Sequence, residues 1–218
     1  MGTSQRRARE REELREKILN AARALFVQKG FEAVTLRTIA EAIEYSPAAL
    51  YGYFPDKAAL VFTLVNEDFE TLAERFGTLA RIADPVERLA AIGRTYVGFA
   101  VEHPNHYRLM FMSAHSAVIA DRPEKYENRG DPARDGYAFL KWTVEQAVAA
   151  GRFKPQFADA ELACQALWAC VHGIAALEVT HRAEAWVDWR PLEQRLHAVV
   201  AALLAGMTEP EATRAGTA

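Results

Sequence analysis

The sequence predicts an all-α chain in two parts. Ala, Leu, Glu and Arg dominate, Val, Ile and Thr never form a sustained alternating run, and capping residues punctuate the chain at helix-length intervals. The 218 residues suit one large domain or two small ones. A composition of 50% hydrophobic, 25% charged and 10% aromatic residues is that of a globular chain and excludes disordered, collagenous and coiled-coil classes. Two cysteines exclude a disulfide scaffold and suit a reducing cytosol. The charged N-terminal segment has no apolar core, and no apolar run reaches the roughly 18 residues of a membrane span, so neither a secretory signal nor a transmembrane helix is expected. Net charge is −3, yet residues 1–60 carry 10 Lys/Arg against 8 Asp/Glu while the remainder carries 16 against 21. A mildly basic front and an acidic rear suggest parts with different partners.

Nine helices are expected. The first covers about Glu12 to Lys29, with Leu14, Ile18, Ala21, Ala22 and Leu25 on one apolar face and Gly30 beyond its end. Thr35 caps a second running to about Ile43. Ser46 caps a third with Pro47 at its first position, where a missing N–H costs nothing. That helix reaches about Tyr53, and Pro55 stops it. Asp56 caps a long fourth helix toward Leu79 or Arg81. Asp84-Pro85 opens a fifth to Glu102, His103-Pro104 breaks it, and a short sixth spans about Tyr107 to Met112. Asp121 to Gly130 reads as a loop. Asp131-Pro132 opens a seventh that closes at Gly151, Asp159 caps an eighth to about Arg182, and Asp188 caps the last, ending near Gly206. The tail from Thr208 is expected to fray.

Two short helices joined by a tight turn behind a longer supporting helix follow the helix-turn-helix plan. The run Thr35-Leu36-Arg37-Thr38-Ile39-Ala40, then Ser46-Pro47-Ala48-Ala49-Leu50-Tyr51-Gly52-Tyr53-Phe54 and Asp56-Lys57, preceded by Ile18-Leu19-Asn20-Ala21-Ala22, Leu25-Phe26 and Gly30-Phe31, resembles the TetR/AcrR family of bacterial transcription regulators over about residues 14–65. That resemblance implies a DNA-binding domain over 12–72 and a regulatory and dimerisation domain over 73–207. It departs from the family at Glu44, where Gly is frequent and positive φ comes at low cost. Thr35 and Ser46 are capping residues that can also meet phosphate. The resemblance implies that Tyr53 and Lys57 grip the duplex backbone, the rival for Tyr53 being packing. Lys57 opposes the macrodipole at its helix start, a local cost that favours function. Pro47, Ala48 and Ala49 offer no base-edge hydrogen bond, although alanines can meet thymine methyls. Thr38, Ser46 and Tyr51 bring hydroxyls, and Arg37 is the strongest candidate base reader. Arg6, Arg7, Arg9 and Arg11 form either a basic arm for a minor groove or a solvated tail diluted by Glu10, Glu12 and Glu13.

The rear part carries no nucleotide loop, nucleophile elbow or zinc-protease motif. Its Ala-rich segments, 158–176 and 192–204, suit either a four-helix interface between two copies or packing within one chain. Trp168-Ala-Cys-Val-His172-Gly173 resembles the signature of a WHG-type subgroup of TetR-like C-terminal domains. Trp168 and His172 share one helix face. Tyr96, Phe99, Tyr107, Met110, Phe111 and Trp142 are candidates to line the same interior, with His172 and His103 as its polar groups, against the alternative that all are plain core. His103, His106, His115, His172 and His181 have no metal-ligand spacing, and Cys164 and Cys170 lie on different helix faces, so neither metal nor cofactor is expected. The expected function is a cytoplasmic homodimeric repressor on double-stranded DNA, released from a palindromic operator by a small apolar or aromatic effector. The rivals are a DNA-bound adaptor whose rear half contacts a protein, and an enzyme, for which no local catalytic set speaks.

Overall fold

A computed structural model describes residues 3–113 and 127–209 of the chain. Among them are nine α-helices: α1 Thr3–Lys29, α2 Leu36–Ala42, α3 Pro47–Tyr51, α4 Lys57–Gly77, α5 Pro85–Glu102, α6 Pro104–Met112, α7 Gly136–Ala149, α8 Ala160–His181 and α9 Leu192–Met207. A 3-10 turn over Thr78–Arg81 follows α4. The described residues contain no strand, only one isolated bridge between Phe153 and Thr208. His115 and most of the expected 121–130 loop lie outside the described residues, as does the tail beyond Glu209. Contacts divide the chain into a first unit of residues 1–69 with 105–127 and a second of 70–104 with 128–218.

In the first unit the apolar stripe of α1 builds the core as its spacing requires. Ile18 and Ala22 are fully buried against Val34, Ile39, Leu50, Leu60 and Leu64, with Leu14, Ala21 and Leu25 packed at the edge. Leu109 of α6 joins this core, which a division at residue 72 does not anticipate. Thr35 caps α2 in a reciprocal box: its Oγ1 accepts from the Thr38 N–H at 3.2 Å and the Thr38 hydroxyl oxygen accepts from the Thr35 N–H at 2.9 Å. Ser46 Oγ accepts from the Ala49 N–H at 3.3 Å, and Asp56 Oδ1 from the Ala59 N–H at 2.6 Å.

Three features of this unit depart from the sequence expectation. First, α1 begins at Thr3, not near Glu12, so the arginine-rich segment is neither arm nor tail. It holds no Gly or Pro, and Arg6–Glu10 and Arg9–Glu13 pair at 3.3 Å one turn apart. Second, α3 stops at Tyr51. Third, Glu44 keeps the left-handed turn that Gly would favour, with φ of 63°. That conformation is held from both sides: the Tyr45 N–H bonds the Ala40 carbonyl at 2.9 Å, and Lys17 Nζ on α1 donates to the Ile43 carbonyl at 3.1 Å.

The same core encloses a charged cluster. Asp68 of α4 is 2% exposed and accepts from Arg23 of α1, at 2.8 Å on Oδ1 and 3.3 Å on Oδ2. His106 of α6 reaches Oδ1 through Nδ1 at 2.8 Å, and Arg23 also donates to Asn20 Oδ1 at 3.1 Å. The carboxylate thereby ties three helices, with both oxygens accepting.

In the second unit α5 packs against α7, α8 and α9, and α8 against α7 and α9. Gly93 permits the closest approach: a Cβ there would stand 3.1 Å from Val171 Cγ1 and 3.5 Å from Val200 Cγ2. Asp84 and Asp159 cap α5 and α8 as expected, each accepting two backbone N–H groups. Burial pushes the Asp84 carboxyl up, but those N–H groups and Arg152, 2.6 Å away, hold it below its ordinary value. Two expected starts move. Asp131 closes a local turn, accepting from the Ala133 N–H at 2.9 Å, and Asp135 caps α7 instead. Asp188 does not cap α9, which starts at Leu192 after Pro191. Pro191 disfavours helical backbone at Arg190, so a helix cannot run through from Asp188 without strain.

Two stability outcomes follow. Glu44→Gly relieves the left-handed strain and is expected to raise the unfolding free energy by up to about 1 kcal/mol, seen as a higher urea midpoint. A lower midpoint would show that the Glu44 side chain itself holds the turn. Asp68→Ala strands Arg23 in the core and is expected to cost about 3–5 kcal/mol. Equilibrium denaturation checks this, and a near-neutral result would show the cluster to be dispensable.

Candidate nucleic-acid interface and candidate effector cluster

The outward side of α2 and α3 is set by what the core takes. Leu36, Ile39, Ala40 and Leu50 turn inward, leaving Thr35, Arg37, Ser46, Ala48 and Tyr51 exposed, with Thr38, Pro47 and Ala49 half-buried. Arg37 has 79% of its side chain exposed, and Tyr51 is 58% exposed. An aromatic ring and a guanidinium held in water by a rigid helix pair supply hydrogen-bond donors that core packing does not explain. Arg37 Nε donates to Glu41 Oε1 at 2.9 Å, one turn along α2.

Tyr53 and Lys57 sit differently from this outward set. Tyr53 is half-buried, with the Arg11 guanidinium 5.6 Å from its ring centre. Lys57 Nζ donates to the Phe31 carbonyl and lies 3.9 Å from the Phe31 ring centre. Burial lowers its pKa, with Glu32 opposing. Its charge at the start of α4 is therefore already engaged by a backbone oxygen and an aromatic face. Three residues of this region escape a reading by motif: Lys17 behind the turn, Arg11 beside Tyr53, and Glu41 beside Arg37. Only the i, i+4 spacing of Arg37 and Glu41 was visible in the sequence.

In the second unit, three of the nine candidate effector residues form one hydrogen-bonded cluster. Trp168 Nε1 of α8 donates to Tyr96 Oη of α5 at 3.2 Å, and that oxygen lies 2.9 Å from His172 Nδ1. An indole N–H can only donate, so the Tyr96 hydroxyl oxygen is the acceptor in its bond with Trp168. Burial lowers the His172 pKa and favours the neutral ring. Tyr137 of α7 packs its ring 6.0 Å from Trp168 and donates to Glu161 Oε1 at 2.6 Å, and burial raises its pKa.

The other six candidates lie elsewhere. Phe99 packs tilted against His103, with ring centres 5.2 Å apart, and His103 Nε2 is 2.9 Å from an Arg75 nitrogen. Trp142 is flanked by Phe139 at 5.4 Å and by the Arg88 guanidinium at 4.7 Å. Tyr107 and Phe111, with ring centres 5.1 Å apart, belong to the first unit, as does Met110. The expected single lining is thus not one cluster within either unit. Cys164 is buried and pushed up to about 12 by desolvation, and Cys170 is also raised by burial. Among the described residues no three His, Cys, Asp or Glu side chains converge as a metal-holding group.

Comparison with known proteins gives these two regions a common context. Residues 18–64 match the bacterial regulatory proteins of the tetR family, and residues 89–203 match the tetracyclin repressor-like C-terminal domain. The HTH-type transcriptional regulator UidR of Escherichia coli K12 is 34% identical over 88 residues, which are 40% of this chain and 39% of that protein. The HTH-type transcriptional repressor KstR of Rhodococcus jostii is 36% identical over 80 residues, 37% of each chain. These alignments span well under half the length of either relative. A TetR family transcription regulator from Marinobacter aquaeolei shares the fold, with a TM-score of 0.72 at 22% identity over 93% of this chain and 100% of that one. The rear match alone covers more than half of the sequence, and the chain belongs to the TetR family of bacterial regulatory proteins.

Proposed function

We propose that the chain is a cytoplasmic, homodimeric transcriptional repressor that reads a palindromic operator through α2 and α3. The observation that carries this reading is the outward set of Arg37, Ser46 and Tyr51 on a rigid two-helix unit. In this reading Thr35, Thr38, Ser46 and Tyr53 meet backbone oxygens, Pro47, Ala48 and Ala49 lie close to base edges, and Arg37 pairs with guanine. Lys57 contributes through its field and through the anchoring of Phe31 rather than as a free phosphate grip. The name of KstR supports repression as the sign of control.

The dimer reading is supported by α8 and α9. By length and composition α8 could cross a membrane, yet only 22% of that stretch is buried within the chain. Leu162, Ala169 and Leu177 of α8 and Ala198, Ala201, Ala202 and Ala205 of α9 stay exposed. Small side chains let helices approach closely, so two such pairs from two copies would form a four-helix interface. A second copy also supplies the second reading head, and heads about 34–36 Å apart meet successive major grooves on one face of the duplex.

The effector reading centres on Tyr96, Trp168 and His172, in keeping with a WHG-type C-terminal domain. Aromatic surface with one neutral imidazole and one phenol suits a small, largely apolar ligand that offers a hydrogen-bonding group. Its binding would shift α4 and move the reading heads out of register. A hundredfold preference for one state supplies about 2.7 kcal/mol of coupling.

Selection of bound duplexes from a random pool tests the whole reading: a two-fold symmetric site is expected, and retention of no sequence would refute it. On the selected site Arg37→Ala is expected to cost about 1–3 kcal/mol and to relax one base position. An equal loss on every sequence would make Arg37 a phosphate anchor. Ala169→Glu places a charge in the expected interface, and sedimentation should shift from dimer to monomer. An unchanged dimer would locate the interface elsewhere.

A further inference from the structure

We infer that Glu41 is a specificity-determining positioning residue, holding Arg37 in the orientation that reads a guanine and keeping it away from phosphate. The inference rests on the DNA-reading role proposed for Arg37. Its starting point is that helix stability does not account for the pair. Arg37 is the second residue of α2 and Glu41 the sixth. A cation in the first turn and an anion in the last each oppose the macrodipole, and Arg preceding Glu by four residues is the weaker order for a helical pair. Both side chains are mostly solvated, at 79% and 59% exposure, where an ion pair stabilises little.

The geometry of the contact supplies what stability does not. Glu41 Oε1 takes the Nε–H of Arg37 at 2.9 Å. The guanidinium has five N–H groups, and engaging Nε leaves the two terminal nitrogens as an end-on fork. That fork matches the O6 and N7 acceptors of guanine, and a guanidinium fixed before contact loses less freedom on binding. The carboxylate also acts on wrong sequences. A negative charge beside a polyanion raises the energy of every complex, and only a site whose guanine uses the fork offsets it. Glu41 thus weakens non-specific binding while sharpening discrimination at one base.

The two roles give opposite signs in one experiment. Duplexes selected from a random pool, and variants changed only at the base assigned to Arg37, are titrated with wild-type protein, Glu41→Ala and Glu41→Gln. Glu41 is exposed, so both variants should keep the wild-type circular dichroism and melting. Glu41→Ala is expected to bind unrelated duplex about twofold or more tightly, with a steeper salt dependence. Its preference for the selected base should fall by about threefold or more, out of the roughly 5- to 150-fold that a bidentate pair supplies. Glu41→Gln keeps an oxygen for Nε and should retain the preference while also binding unrelated duplex more tightly. In an Arg37→Ala background Glu41→Ala should leave the base preference unchanged. If Glu41→Ala tightens binding to all duplexes alike with its preference intact, the carboxylate acts by charge alone and the inference is overturned. Wild-type protein that retains no duplex overturns the DNA-reading role itself, a result distinct from a selective wild type whose preference ignores Glu41.

Discussion

A single carboxylate with almost no access to water organises the first unit. Asp68 sits where an apolar residue would be the simpler solution, and its charge is tolerable only because Arg23 and His106 fill its acceptor positions. Each partner comes from a different helix, so the cluster fixes how α1, α4 and α6 meet more narrowly than apolar packing alone. The small helices α2 and α3 pack on this frame through Leu36, Ile39, Ala40 and Leu50. The outward side chains of α2 and α3 are thus set by the apolar core that their inward faces enter.

The sequence was most legible where structure is local. Thr35, Ser46, Asp56, Asp84 and Asp159 act as caps because each needs only N–H groups two or three residues away. The apolar face of α1 was legible for the same reason, since helical spacing alone decides which residues meet a core. Legibility failed where two signals competed. Asp131 and Asp135 both suit a helix start, and only the second is followed by a segment with a core to enter. Asp188 is a good cap whose helix is blocked by Pro191. The first turns of α1 have no apolar stripe, only charge pairing and an absence of helix breakers, so helical spacing does not mark their start.

The candidate sites were half legible. Trp168 and His172 announce themselves by spacing, but Tyr96, whose hydroxyl joins them, lies 72 residues before Trp168. Arg23 and Asp68 are 45 residues apart, and no sequence period brings them together. Lys57 illustrates a subtler limit. Its charge at a helix start is visible in the sequence, yet the compensating group is the Phe31 carbonyl, a backbone atom with no signature in side-chain patterns.

The length of α1 has a consequence for where its N-terminal charges stand. The helix continues about 16 Å beyond Leu14, at 1.5 Å per residue, as a spur without a hydrophobic footing. Two of its arginines are occupied by glutamates, whereas Arg7 and Arg11 form no ion pair among the described residues, and Arg11 leans on Tyr53. Being already coiled, this segment holds its arginines in water as a helical spur rather than as a flexible leader, at charge positions fixed by the helix period.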